Sequence, residues 1–142
     1  MTLAVYGTLR RGGSANGLLR GAKYLGQDRI NGKLYNLSEG IPAVLPSASG
    51  TVVVDLYELP EGAAGEEMIK VIDVYEGYYP DKPDQSLYRR KETVTVEGSM
   101  PVQYYEYRFE VNIAHVPSGD YFKREDYGTV KYEYPTDEGG EA

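Results

Sequence analysis

A short apolar segment near the start of the chain leads into a glycine-containing turn that has the properties of an anion site. Leu3 to Tyr6 predict a buried strand, which ends at Gly7. Consecutive backbone N–H groups in such a turn can bind a carboxylate or a phosphate. Gly7 and Gly12 have the spacing of a phosphate loop, but Gly13-Ser14 stands where that motif requires Lys-Ser or Lys-Thr, which excludes a nucleotide loop. The alternative is an ordinary junction between a strand and a turn.

A second candidate site is the carboxylate of Glu76, at the end of a helix predicted over Ala63 to Tyr75. Glu76 follows Ile72 by four residues and Ile69 by seven, so it prolongs the apolar stripe of the helix and is predicted to face inward. Burial disfavours the charged form of a carboxylate, which prepares it to take and return a proton near neutral pH. The alternative is that Glu76 turns outward to water at a fraying helix end.

Asp73 is the rival carboxylate on the same helix. It lies away from the centre of the apolar stripe, so it is predicted to form a cap, to pair with Arg89 or Arg90, or to be solvated.

The remaining polar side chains are weaker candidates for catalysis or for metal binding. Tyr105 and Tyr107 share a face of a predicted strand, where their hydroxyl groups can donate into a pocket or the rings can pack across strands. His115 is the only histidine and the chain contains no cysteine, so a metal site would have to be built from carboxylates alone. Calcium-loop spacing is absent, and we predict neither a metal nor a cofactor.

The order of predicted strands and helices indicates which fold positions these residues. It predicts an α+β class with a mixed, barrel-like sheet and one main helix. Strands are expected over Thr51 to Tyr57, Tyr88 to Val96 and Val102 to Val111, and a hairpin is expected between Tyr24 and Tyr35 across Asn31-Gly32. We also expect Ser14 to cap a short helix, Gly77 to end the main one, and Pro42 and Pro46 to mark irregular structure.

The composition restricts the kind of protein. A chain of 142 residues predicts one domain, taken here as 1–124, followed by an acidic and mobile tail over 125–142. A formal net charge of −7 argues against nucleic acid as a partner. The absence of cysteine, of a signal-peptide pattern and of a long apolar segment predicts a cytoplasmic protein that does not bind membranes.

Landmarks along the chain continue the pattern that begins at the turn. The turn reads Val5-Tyr6-Gly7-Thr8-Leu9-Arg10-Arg11-Gly12, with Asn16 after it. The later landmarks, in order, are Leu34-Tyr35, Ile41-Pro42-Ala43, Val54 to Leu59, Ile72 to Tyr78, Tyr88-Arg89-Arg90, Tyr105-Glu106-Tyr107 and Ser118-Gly119-Asp120. Together they resemble the gamma-glutamylcyclotransferase-like superfamily, including its gamma-glutamylamine cyclotransferase and AIG2-like branches.

The resemblance implies a compact barrel-like α+β fold and a cyclotransferase activity that needs no cofactor. The turn Tyr6-Gly7-Thr8-Leu9 would bind the alpha-amino acid end of a gamma-glutamyl group through backbone amides, and Tyr107 completes the predicted substrate-binding set. Glu76 matches the acid/base glutamate of the family. It would pass a proton from the alpha-amine to the leaving amine while the substrate cyclises to 5-oxoproline.

Two other classes of function stay open on sequence alone. One is a binding module that holds another small anionic ligand in the same pocket without turning it over. The other is an interaction protein that uses a tyrosine-rich surface, since the chain has 15 tyrosines, two phenylalanines and no tryptophan. The leaving amine and the oligomeric state also stay open.

Overall fold

A computed structural model of the chain describes residues 1–38 and 41–127. Its strands are β1 (Thr2–Val5), β2 (Lys23–Asn31), β3 (Lys33–Ser38), β4 (Ile41–Leu45), β5 (Thr51–Glu58), β6 (Tyr88–Val94) and β7 (Pro101–Tyr107). One α-helix, α1 (Gly62–Glu76), lies between β5 and β6, and short 3₁₀ helices span Asn16–Leu19, Pro83–Gln85 and Tyr121–Tyr127. Strands that precede and follow one main helix confirm the predicted α+β class.

The main sheet has five strands in the order β2-β5-β1-β7-β6. It is mixed, because β1 runs parallel to β7 while the other neighbours are antiparallel. The sheet is twisted and unclosed, but its two edges approach at one end. There the Val96 N–H donates to the Arg29 carbonyl at 2.8 Å, and the Asp28 carboxylate accepts the N–H groups of Glu97 and Gly98 at 3.0 and 2.9 Å.

The hairpin predicted across Asn31-Gly32 is wrong. On either side of this position the strands belong to different sheets, because β2 pairs with β5 and β3 pairs with β4. Gly32 instead donates its N–H to the Gly50 carbonyl at 2.9 Å, so the chain passes from one sheet to the other. The pairing of β2 with β5 extends from Lys23 to Asn31, which outweighs a local turn preference.

Two smaller predictions also fail. Pro42 lies inside β4 and not in irregular structure; β4 is one of only two strands in its sheet, where a missing N–H is tolerated at an edge. Ser14 does not cap the first 3₁₀ helix, which follows Ala15 and has no side-chain cap. The N–H groups of Ala15 and Asn16 are bonded instead to the carbonyls of Thr8 and Gly13.

Helix α1 ends as predicted at Gly77, whose φ of +73° suits a residue without a side chain. The Gly77 N–H donates to the Val74 carbonyl at 3.0 Å and the Tyr78 N–H to the Asp73 carbonyl at 2.9 Å, which is a Schellman motif. Ile69 and Ile72 are buried. The inward face of the helix therefore continues to its last residue, Glu76.

The predicted domain limit at residue 124 and the mobile tail over 125–142 stay predictions, since residues 128–142 lie outside the described part of the chain. No helix in the described ranges is long and apolar enough to cross a membrane.

Candidate functional site

The turn after β1 is folded tightly onto itself. The Arg10 N–H donates to the Gly7 carbonyl at 3.0 Å, the Gly13 N–H to the Arg10 carbonyl at 2.7 Å, and the Ala15 N–H to the Thr8 carbonyl at 2.9 Å. Gly13 packs so closely on Thr8 that a Cβ would overlap the Thr8 carbonyl group. The glycine-rich sequence thus builds a compact turn, because only glycine fits at position 13.

Two donors in this turn are available to a bound group. Within residues 1–38 and 41–127, the backbone N–H groups of Gly7 and Leu9 have no hydrogen-bond acceptor. Successive backbone N–H groups form the anion-binding concavities of many turns, and the two groups here lie on either side of Thr8. The N–H groups of Gly7 and Leu9 could therefore bind a carboxylate, as the sequence predicted for this turn.

A buried ion cluster supports the turn from behind. Arg10 is 2% exposed, and its Nη1 donates to Asp120 Oδ1 at 2.8 Å while its Nε lies 3.5 Å from Asp55 Oδ2. The Arg11 N–H donates to the same Asp55 oxygen at 2.8 Å, and the Arg10 guanidinium lies 4.1 Å from the ring centroid of Phe122. These contacts tie the turn to β5 and to the segment that follows β7.

Asn16 supports the turn from the other side. Its Nδ2 donates to the Leu9 carbonyl at 2.9 Å and to the Tyr57 hydroxyl at 3.0 Å. Leu9 itself is fully buried, so its side chain anchors the turn in the core while Asn16 holds its carbonyl.

Glu76 is 0% exposed and lies in the core at the end of α1. This confirms the inward orientation predicted from the helix spacing and excludes the outward alternative. The residue before it, Tyr75, joins the helix to the turn, because its hydroxyl lies 3.0 Å from Thr8 Oγ1. The end of this helix is therefore joined to the predicted substrate turn through Tyr75, and the charge of Glu76 acts on Tyr6, the first residue of that turn.

Two buried tyrosines lie within the electrostatic range of Glu76. Burial raises the pKa of Tyr6, and the neighbouring Tyr88 and Glu76 raise it further. Burial also raises the pKa of Tyr105, with further contributions from Asp73 and Glu76. Both hydroxyl groups therefore stay protonated, and each has an acceptor, since Tyr6 donates to the Tyr105 carbonyl and Tyr105 donates to Asp73, both at 2.6 Å.

Asp73 forms the predicted pair with Arg90, with Nε to Oδ1 at 2.8 Å. It is only 5% exposed, which excludes the solvated position. The Tyr105 hydroxyl that was considered for donation into a pocket is committed to this carboxylate. Tyr107 is buried two residues further along β7, with its ring 5.3 Å from that of Tyr88, and its role as a substrate-binding residue stays a prediction.

A surface cleft of about 380 Å³ lies beside the turn, lined by Ser14, Ala15, Gly17, Leu18 and Tyr75. Tyr75 is shared between this cleft and the contact with Thr8. A larger cleft of about 480 Å³ follows the outer side of the helix end and includes Val74 and Tyr79. Another, of about 420 Å³, lies between the start of β1 and the β6–β7 edge.

Metal-ligating side chains do not gather at this site. In the described part of the chain, no group of three or more His, Asp or Glu residues is placed to hold a metal ion. The groups on which the charge of Glu76 acts include the hydroxyl groups of Tyr6 and Tyr105.

Four supporting residues lie within the landmarks of the sequence but were given no role there, namely Arg10, Asn16, Asp55 and Asp120. Asp55 carried a signal, because it is a charged residue within an otherwise apolar alternating strand. Arg10 carried none, since its partners lie 45 and 110 residues away in the chain.

An α+β fold with a glycine-rich turn after its first strand and a buried glutamate at the end of its main helix defines a class of protein, and comparison with known families identifies it. The chain belongs to the gamma-glutamyl cyclotransferase, AIG2-like family, whose model matches residues 3–123. This confirms the resemblance seen in the sequence. Family membership supports a cyclotransferase-type enzyme function.

Individual relatives agree with this assignment. The chain is 39% identical over 77 residues to PH0828 of Pyrococcus horikoshii, a candidate gamma-glutamylcyclotransferase; the match covers 54% of this chain and 62% of the relative. The crystal structure of PH0828 superposes with a TM-score of 0.66 at 26% identity, covering 90% of this chain and 98% of the other. An AIG2-like protein of Mus musculus shares the fold, with a TM-score of 0.62 at 21% identity over 96% and 97% of the two chains.

Proposed function

We propose that this protein is a gamma-glutamyl cyclotransferase that releases 5-oxoproline and a free amine or amino acid from a gamma-glutamyl amide. The observation that carries the proposal is a fully buried Glu76 at the end of a helix in which the preceding residue, Tyr75, contacts Thr8 of the turn at Tyr6 to Leu9. One part supplies a proton-transfer group and the other supplies backbone donors for the carboxylate of the substrate. Together they match what an intramolecular cyclisation requires.

The chemistry follows from these two parts. With its alpha-carboxylate on the N–H groups of Gly7 and Leu9, the substrate presents its alpha-amine to Glu76. Glu76 takes a proton from this amine as its nitrogen attacks the gamma-carbonyl carbon and forms the five-membered ring. The C–N bond to the leaving amine then breaks, and Glu76 returns the proton to that amine.

The protein contributes mainly orientation. The nucleophile and the electrophile are in one molecule, and holding such groups in register can lower a barrier by about 7–11 kcal/mol. The tightly bonded turn and the buried helix end supply rigid surfaces for this purpose. The proposed reaction needs neither a metal nor a cofactor.

The experiment is a 5-oxoproline release assay over gamma-glutamyl amines, amino acids and peptides. Glu76→Gln is expected to abolish release while the protein stays folded. Glu106→Gln is the matched control, because Glu106 is also buried but accepts a hydrogen bond from Tyr104, and it should retain activity. If the unsubstituted protein releases no 5-oxoproline from any compound, the proposal is wrong and a non-catalytic binder of small anions takes its place.

The proposed partner is thus a small gamma-glutamyl compound. A cytoplasmic location, and the absence of nucleic-acid and membrane binding, stay predictions that cell fractionation and binding assays can test.

A further inference from the structure

The carboxylate of Asp73 is the centre of a hydrogen-bonded cluster one helical turn before Glu76. Arg90 donates to both of its oxygens, from Nε to Oδ1 at 2.8 Å and from Nη2 to Oδ2 at 3.2 Å. The Tyr105 hydroxyl donates to Oδ1 at 2.6 Å. Arg90 is held in turn by Gln103, whose Oε1 accepts from Nη1 at 2.6 Å. Each side chain of the cluster is therefore held by at least one directed hydrogen bond to another member.

The carboxylate of Asp73 acts on the charge of Arg90. Burial alone would lower the pKa of Arg90, but the hydrogen bond and the charge of Asp73 outweigh burial and raise it. A buried ion pair seldom stabilises a fold more than apolar packing of the same volume would, whereas it can select one arrangement of the groups around it. The cluster is therefore better explained by the geometry it imposes than by the stability it adds.

Tyr105 connects this cluster to both halves of the candidate site. Its hydroxyl is bonded to Asp73 on α1, three residues before Glu76. Its backbone carbonyl accepts the hydroxyl proton of Tyr6, the first residue of the substrate turn, at 2.6 Å. One residue of β7 thus fixes both the helix end and the start of the turn.

We infer that Arg90, Asp73 and Tyr105 are positioning residues that set the distance between Glu76 and the substrate turn. The inference rests on the proposed function, because it assigns these residues a role in the same site. None of the three takes part in proton transfer. Their effect on the reaction arises because a displacement of about 1 Å between reacting groups can lower the rate about 100-fold.

The strand offers a matched pair of substitutions that separate positioning from stability. Tyr105→Phe removes a hydroxyl that donates to a carboxylate at 2.6 Å, and Tyr104→Phe removes one that donates to the carboxylate of Glu106 at 2.7 Å. Both rings are buried, on opposite faces of β7.

Tyr105→Phe is expected to lower kcat about tenfold or more while KM changes less than about twofold, because the turn still binds substrate and the proton-transfer group is displaced. Tyr104→Phe should leave kcat within about twofold. Equal values of kcat in the two variants, at equal folded fractions, would overturn the inference.

A second measurement does not depend on activity. Since the chain contains no cysteine, Glu76→Cys places a single thiol at the buried helix end. Its rate of reaction with a maleimide reports how often that end opens. Adding Tyr105→Phe should increase this rate about tenfold, which corresponds to about 1.4 kcal/mol, whereas adding Tyr104→Phe should change it less than about twofold.

The two readouts distinguish the two proposals. Absence of 5-oxoproline release from the unsubstituted protein would contradict the proposed function and leave the labelling comparison valid. Equal labelling rates with Tyr105→Phe and Tyr104→Phe would overturn the positioning role, whatever the activity. If the doubly substituted protein does not fold, Arg90→Lys in the Glu76→Cys background replaces it, because lysine keeps the charge and loses the forked donation.

Discussion

Replacing Gly13 by alanine tests the structure of the substrate turn directly. A Cβ at position 13 would overlap the carbonyl oxygen of Thr8 and would lie 2.7 Å from the Thr8 carbonyl carbon and 2.9 Å from the Arg10 carbonyl oxygen. All of these are backbone atoms of the same turn, so no side-chain rotation relieves the overlap. The turn itself must move, and with it the N–H groups of Gly7 and Leu9.

Overpacking of this kind typically costs about 1–3 kcal/mol of folding free energy. For a domain of this size we therefore expect Gly13→Ala to lower Tm by several degrees, at about 2–4 °C per kcal/mol. Because the substrate donors are displaced, kcat/KM for 5-oxoproline release should fall by about 10- to 100-fold. Thermal unfolding followed by circular dichroism and the release assay measure the two effects.

Gly17→Ala is the control for stability, since nothing lies within 4 Å of a Cβ at that position. It should change the free energy of unfolding by no more than about 0.5 kcal/mol. A Gly13→Ala protein with the Tm of Gly17→Ala and the kcat/KM of the unsubstituted protein would contradict the tight packing of the turn on Thr8.

Three further predictions follow from the contacts. Burial alone would raise the pKa of Asp28, but the hydrogen bonds that its carboxylate accepts from backbone N–H groups outweigh burial and lower this pKa. The contribution of Asp28 to stability is therefore present above pH about 4 and is lost as the pH falls through the folded-state pKa. Asp28→Asn should therefore flatten the acid limb of a plot of urea midpoint against pH, and an unaltered limb would contradict this. Burial raises the pKa values of Tyr6 and Tyr105, so the contribution of each protonated hydroxyl to the free energy of unfolding is fully present below pH about 10. Above this pH the free energy of unfolding should fall by about 1.4 kcal/mol per pH unit for each residue. Tyrosinate absorbance from either ring before unfolding begins would contradict this prediction. Asn16→Ala leaves the buried Leu9 carbonyl without its donor and should cost about 1–3 kcal/mol in a urea titration; a loss below about 0.5 kcal/mol would show that water replaces the amide.

Local patterns predicted the end of the main helix better than they predicted the sheet. The inward orientation of Glu76 follows from spacing along one helix, and the end of that helix follows from Gly77, so both could be read from adjacent residues. The Asn31-Gly32 turn is an equally local signal, yet β2 makes a long pairing with β5, a strand that begins 20 residues later. Which strands pair depends on residues throughout the sheet, and a pattern of a few adjacent residues does not include them.

The partners of the site residues show the same limit. From the sequence, Asp73 was predicted to form a cap, to pair with Arg89 or Arg90, or to be solvated, because it lies away from the centre of the apolar stripe. The sequence did not indicate that the Tyr105 hydroxyl shares the same carboxylate oxygen, since that contact depends on the register between β7 and α1. Contacts between elements that are far apart in the chain therefore depend on the three-dimensional fold.

The hydroxyl groups of Tyr6 and Tyr105 help to explain how Glu76 alone could serve as both acid and base in the proposed reaction. Tyr6 and Tyr105 have raised pKa values because they are buried, and each donates its proton to another acceptor. Neither ring therefore changes its charge in the range where Glu76 is proposed to act. A proton that the substrate amine gives to Glu76 has the leaving amine as its destination, because the tyrosines beside Glu76 already carry theirs. Tyr6 and Tyr105 thus keep their protons fixed beside Glu76, so in the proposed reaction the proton is exchanged only between this carboxylate and the substrate.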